Sequence, residues 1–179
     1  MSIINRPLVP LSPVKRIALV GILSAVNIGS RIVLQFLPNI KPVTSLIIIS
    51  VILFGLSFGL ELTLVTTLVS NMYLGMGIWT VFQIFAWAMI CILTELFIRL
   101  FKRIPPLLFM AIFSAIMGYV FGLFVSFEKL VIGGWGLFIP YYISGLVFDT
   151  YHAVGNFFFY LALAPILYKL FEKEMSSVV

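Results

Sequence analysis

Residues 43–74 read VTSLIIISVILFGLSFGLELTLVTTLVSNMYL, thirty-two positions with a single charged residue, Glu61. The run lacks the alternation of a strand, so an outer-membrane barrel is a poor competitor and helix is the reading. Its one interruption is the turn signal Gly55-Leu56-Ser57-Phe58-Gly59. Two helices are therefore predicted, at about 43–58 and 59–74, both short of the ~20 residues that a bilayer crossing takes.

Working outward, 63% hydrophobic and 9% charged residues with a mean hydropathy of +1.22 lie outside the range of soluble domains. The chain reads as an all-α membrane protein, a six-transmembrane-helix bundle forming one integral membrane domain over residues 1–179. The remaining helices are predicted at about 14–36, ended by Pro38 and Pro42; at 79–101, after Gly75-Met76-Gly77; at 105–127, opened by Pro105 and Pro106; and at 141–171. A loop holding Gly133, Gly134, Trp135, Gly136 and Pro140 precedes the last. The first fourteen residues carry three prolines and no apolar core, so no cleavable signal is expected and residues 1–13 read as a cytosolic tail.

Basic residues set the orientation. Arg6, Lys15 and Arg16 precede the first helix, Arg99, Lys102 and Arg103 separate the fourth and fifth, and Lys169 and Lys173 end the sixth. An even number of spans places all three groups on one side, which the positive-inside rule makes cytoplasmic, with both termini. Arg31, Lys41 and Lys129 remain for the outer half. Topology thus accounts for the isoelectric point of about 9.5, and nucleic-acid binding is not needed to explain it.

Polar residues inside apolar helices are expensive, and they mark interior faces or wet cavities. Asn27, Arg31 and Gln35 are spaced four apart at the outer end of the first helix, and Asp149, His152 and Asn156 recur at three and four in the sixth. Arg31 could snorkel, pair with Asp149 as a fastener between helices, or serve a ligand. Trp79, Gln83 and Trp87 again step by four, while Asn71, Tyr73, Trp135, Tyr141 and Tyr142 gather at nearby helix ends. An interfacial aromatic belt explains some of these but explains Gln83 and Trp87 less well. The pattern points to an outward-facing pocket for a neutral or weakly charged small organic ligand. His152 alone reads as a hydrogen-bonded interior residue, and one His with one Cys cannot assemble a four-ligand metal site, so no metal is expected. Cys91 reads as core filling with no disulfide.

Ala18, Gly21, Ala25 and Gly29 form a small-residue stripe on the first helix, suited either to packing within the bundle or to docking a separate membrane subunit. Glu95 and Arg99 are an expected i, i+4 pair. No phosphate loop, HExxH or GxSxG motif occurs, so neither ATP hydrolysis nor hydrolase chemistry is expected and the chain does not read as an enzyme. Inverted three-helix repeats are not visible either.

The size, the unequal spans, the small-residue first helix and above all residues 37–88, LPNIKPVTSLIIISVILFGLSFGLELTLVTTLVSNMYLGMGIWTVFQIFAWA, resemble the substrate-binding S components of energy-coupling factor (ECF) vitamin transporters. The resemblance implies a multi-pass protein of the bacterial plasma membrane that binds a vitamin from outside. Its implied partners are a transmembrane coupling subunit and two cytosolic ATPase subunits, with toppling in the membrane as the release step. The family's Ala-x-x-x-Ala docking motif corresponds here to Gly21-x-x-x-Ala25, continued to Gly29. The PNIKPVTS segment more particularly resembles S components for cobalamin, with queuosine-type and pantothenate S components as near rivals. By that resemblance the ligand is the only cofactor-like group. It would lie against Lys41 to Ser45, including Thr44, against Asn71 to Trp79, and against Lys129 to Tyr142; cobalt ligation by His152 would be an additional step. A self-sufficient facilitator and a structural protein that binds no ligand remain alternatives.

Overall fold

The computed structural model describes residues 8–176, and side chains as far as residue 172. Arg6, the rest of residues 1–7 and the side chain of Lys173 lie outside the described residues. Among the described residues there are five helices and no strand: α1 (Pro13–Val33), α2 (Val43–Phe54), α3 (Leu56–Leu74), α4 (Ile78–Phe101) and α5 (Leu107–Ser176). Three stretches, Pro13–Val33, Ile78–Phe101 and Leu107–Glu172, are long and apolar enough to cross a membrane.

The difference from six helices lies in α5, which covers two expected helices and the loop between them. Its backbone leaves helical geometry only at Gly133 and Gly134, the latter at φ +64°, where glycine alone escapes a Cβ penalty. The chain doubles back there, so that arms 107–132 and 135–176 pack together. A Cβ on Gly118 would come within 2.9 Å of the Ala153 backbone, and one on Gly122 would overlap the Asp149 side chain. Gly118 and Gly122, four apart, make the close approach, and Ser114 and Ser126 continue the same small-residue spacing in sequence. The expected loop thus shrinks to two residues because Trp135 to Ile139 continue the apolar helix, and Pro140 sits within it.

The other expected turn shrinks as well. Gly55 at φ +91° reverses the chain between α2 and α3 by itself, so α2 ends at Phe54 rather than 58 and α3 begins at Leu56. All twelve residues of α2 are buried, and α1, α3, α4 and α5 all touch it. At ~1.5 Å per residue α2 is about 18 Å long, against a hydrocarbon core of about 30 Å. It works as an interior post, which is why it is apolar on every side.

α1 is peripheral, burying one stripe, Val20, Ser24, Asn27 and Arg31, mainly against α3. Its start is set by Ser12, whose Oγ accepts from the Lys15 amide at 3.3 Å, followed by Pro13 at the first helical position. The tail ahead of it is held: Val9 is buried and its amide donates to the Leu53 carbonyl at 3.0 Å. Near this end Arg16 grips Glu61 with two bonds of 2.8 and 2.9 Å, and Arg99 bonds Glu95 at 2.9 Å. Arg31 and Lys41 lie at the opposite end.

Candidate functional site

At that opposite end the finish of α1, the start of α2, the finish of α3, the start of α4 and the beginning of the second arm of α5 converge. Residues 34–42 cross over them as a non-helical strap. Asn39 takes the left-handed conformation (φ 56°) that asparagine tolerates. Its Nδ2 donates to the Phe148 carbonyl at 3.2 Å, and Ile40 rests on Gly155, which ties the strap to α5.

Beneath the strap are two adjoining cavities. The first, about 250 Å³, is walled by Arg31, Gln35, Lys41, Gln83, Trp87 and His152 together with Asn39, Val43, Leu74, Phe121 and Phe148. The second, about 300 Å³, shares Asn39, Gln83, Phe121 and Phe148 and adds Gly122, Val125, Ser126, Tyr141, Ser144, Gly145 and Asp149. Together they form one cleft running from Arg31 to the groove between the arms of α5.

Arg31 is held entirely by neutral groups. Its guanidinium donates to Ser70 Oγ, to Asn71 Oδ1 at 3.0 Å and to Gln83 Oε1 at 3.4 Å, and lies 5.3 Å from the Trp87 ring centroid. Asn71 is oriented in turn by its Nδ2, which donates to Thr80 Oγ1 and Gln83 Oε1, each at 2.9 Å. The Arg31 to Asp149 pair weighed as a fastener does not form, and among the described residues Asp149 has no hydrogen-bond or ion-pair partner. Lys41, on the strap, has none either, and its ammonium is pushed below its ordinary pKa by burial and then by the nearby Arg31 charge.

A second chain of contacts sets Trp87 and His152. Trp87 Nε1 donates to Thr44 Oγ1 at 3.0 Å, and the same oxygen lies 3.0 Å from His152 Nε2. Because indole can only donate, the threonine proton is free to go to Nε2, which leaves the imidazole proton on Nδ1. That Nδ1 is buried and, among the described residues, has no hydrogen-bond partner, as is the case for both amide atoms of Asn156. Phe121 meets the imidazole edge-on at 5.1 Å.

The structure therefore brings Arg31, Gln35, Lys41, Gln83, Trp87, Tyr141, Asp149 and His152 onto one cleft, with Asn71 and Thr44 as the buried layer that orients them. Gln35 arrives from the strap rather than from the Arg31 face of a helix, because α1 stops at Val33. Asn27 is not in the wall: it is fully buried one turn away, bonding Thr66 Oγ1 at 3.4 Å. Tyr73, Trp79 and Trp135 lie outside the cleft and are 72%, 43% and 63% exposed, which fits an aromatic belt. Sequence reasoning missed Asn39, Phe121 and Phe148 in the wall. Phenylalanine is the most frequent aromatic residue of this chain, so nothing singles those two out; the Asn-Gly-free strap gave Asn39 no turn signature beyond its flanking prolines.

Ala18, Gly21 and Ala25 face outward and Gly29 is half-buried; a Cβ on Gly21 or Gly29 would meet nothing within 4 Å. The stripe is therefore not used for packing among the described residues. No protein-family model matches the sequence, and neither a curated protein nor a solved structure matches it.

Proposed function

We propose that the chain is a membrane-embedded binding subunit that receives a small organic molecule in the Arg31–Trp87–His152 cleft and passes it inward with the help of partner subunits. This is the role of an ECF-type S component. The observation that carries the reading is the cleft itself: charged, amide and aromatic groups gathered at one end of an apolar helical bundle, with Arg31, Gln83, Trp87 and His152 fixed by a buried second layer. The unused small-residue stripe on α1 supports it further, as the surface on which a transmembrane coupling subunit would dock. In this reading the basic end faces the cytoplasm of a bacterial cell, where the two ATPase subunits lie, and the cleft opens outward.

Cobalamin remains the ligand that the resemblance implies. The cavities, about 250 and 300 Å³, lie one just below and one at the lower limit of the ~300–1,000 Å³ of pockets for drug-sized ligands. A corrin would be held largely outside them, against the strap and the exposed aromatic residues, and a smaller vitamin such as pantothenate would sit inside. Calorimetric titration of the purified chain with cobalamin and with pantothenate tests both. One-to-one binding of either is expected, and absence of binding to every vitamin tried would refute the reading. For docking, Ala25→Trp should block assembly with the coupling subunit and leave ligand affinity unchanged; unaltered assembly would refute that surface.

A further inference from the structure

The formal charges of the cleft do not balance. Its walls carry two cations, Arg31 and Lys41, and one acid, Asp149, so one positive charge is left over. Asp149 does not neutralise either cation by contact: among the described residues it makes no ion pair, and Arg31 and Lys41 touch no carboxylate. Arg31 is buried, and a buried charge held only by neutral partners is costly unless something else completes it. The two cations share the first cavity, and Asp149 belongs to the second. Between them stand apolar rings, with Trp87 and Phe121 4.6 Å apart and half-exposed Phe148 common to both cavities.

We propose that the cleft selects a small organic monoanion, its carboxylate held at Arg31 and Lys41 and its apolar body lying against Trp87, Phe121 and Phe148. This rests on the binding-subunit reading and narrows it, from the neutral or weakly charged ligand expected from sequence to a singly charged anion. One negative charge restores neutrality, whereas a dianion such as a phosphate monoester would overshoot. Asp149, at the far end, has its carboxylate available to accept a hydrogen bond from the ligand's other end. Arg31 already spends donors on Ser70, Asn71 and Gln83, so Lys41, without a hydrogen-bond partner among the described residues, supplies the adaptable contact.

The test is a thermal-shift and calorimetric comparison of the purified chain in phosphatidylcholine nanodiscs. The probes are carboxylates paired with their neutral counterparts: nicotinate and nicotinamide, indole-3-acetate and indole-3-acetamide, lipoate and lipoamide, pantothenate and panthenol, with cobalamin alongside. At least one acid should bind ten-fold or more tightly than its neutral partner. Lys41→Gln, on the strap, should remove most of that preference and raise the melting temperature of the ligand-free chain; Arg31→Lys should retain it in part. Equal binding of acid and neutral partner, or binding of cobalamin alone, overturns the charge assignment while leaving the binding role standing. No binding by any probe overturns the binding role. An acid preference that vanishes when the discs contain phosphatidylglycerol would assign the cations to a lipid phosphate and overturn the proposal.

Discussion

Thr44 offers the sharpest check on how the cleft is built, because one buried hydroxyl serves two ring systems on different helices. Thr44→Val keeps the volume and removes the hydroxyl, which leaves Trp87 Nε1 without its acceptor at 3.0 Å and His152 Nε2 without its partner at 3.0 Å. Each orphaned buried group costs about 1–3 kcal/mol, so the two together should cost roughly 4 kcal/mol at the middle of that range. Thr44→Ser keeps the hydroxyl and loses one buried methyl, worth about 1 kcal/mol. At roughly 2–4 °C per kcal/mol for a chain of this size, the valine variant should melt roughly 8–16 °C lower and the serine variant roughly 2–4 °C lower. Tryptophan fluorescence during thermal unfolding in detergent measures both. Combining Thr44→Val with Trp87→Phe, which removes the indole donor, should cost less than the sum of the single changes by about 1–2 kcal/mol. If valine is tolerated as well as serine, or the two changes add, the hydroxyl does not link the rings and the wall is held by packing alone.

Two other outcomes follow from the geometry. Gly118→Ala should destabilise the chain by about 1–2 kcal/mol, since its Cβ meets Ala153 backbone that cannot step aside; Gly21→Ala, with open space around it, should instead stabilise by up to about 1 kcal/mol through helix propensity. Comparing the two melting temperatures checks this, and equal shifts would refute the close approach of the α5 arms. For Lys41, whose pKa is lowered in the folded chain from its ordinary 10.5, the unfolded chain binds the extra proton, so stability should rise as pH climbs toward 10.5. Lys41→Gln should flatten that rise in a pH series of melting curves, and an unchanged slope would remove Lys41 as its source.

The apolar runs made the helical class legible, since nothing else in 43–74 competes with helix, but turn lengths were not. A glycine pair inside an apolar run looks the same on paper whether it opens a loop or merely lets two arms reverse, and only the packing of Gly118 and Gly122 against 149–153 decides it. That packing was itself visible as small residues at 114, 118, 122 and 126, a pattern weighed on α1 and not on α5. In the site, the polar residues stood out because an arginine or a glutamine in a hydrophobic run demands a partner. Their assignment to wall or support did not, because spacing does not say which side of a helix faces the cleft: Asn27 on α1 and Asn71 on α3 turn to neighbouring helices, while Gln83 on α4 reaches the wall. The spacing of Arg31 and Asp149 was equally silent on pairing, for it gives depth and not the lateral distance between helices.

The complete burial of α2 bears on how the protein is made. For a chain that emerges residue by residue into a bilayer, a post about 18 Å long with Thr44, Ser45 and Ser50 on its surface has no stable resting place among lipid tails. Gly55 joins it directly to α3, so the two must enter as one hairpin. The groups that satisfy its polar side chains arrive only later: Trp87 from α4, then Ser114, His152 and the Asn156 carbonyl from α5. In a bilayer the surroundings of α2 would thus be completed from the C-terminal side, and a chain lacking the second arm of α5 would leave Thr44 and Ser45 without their His152 and Asn156 partners.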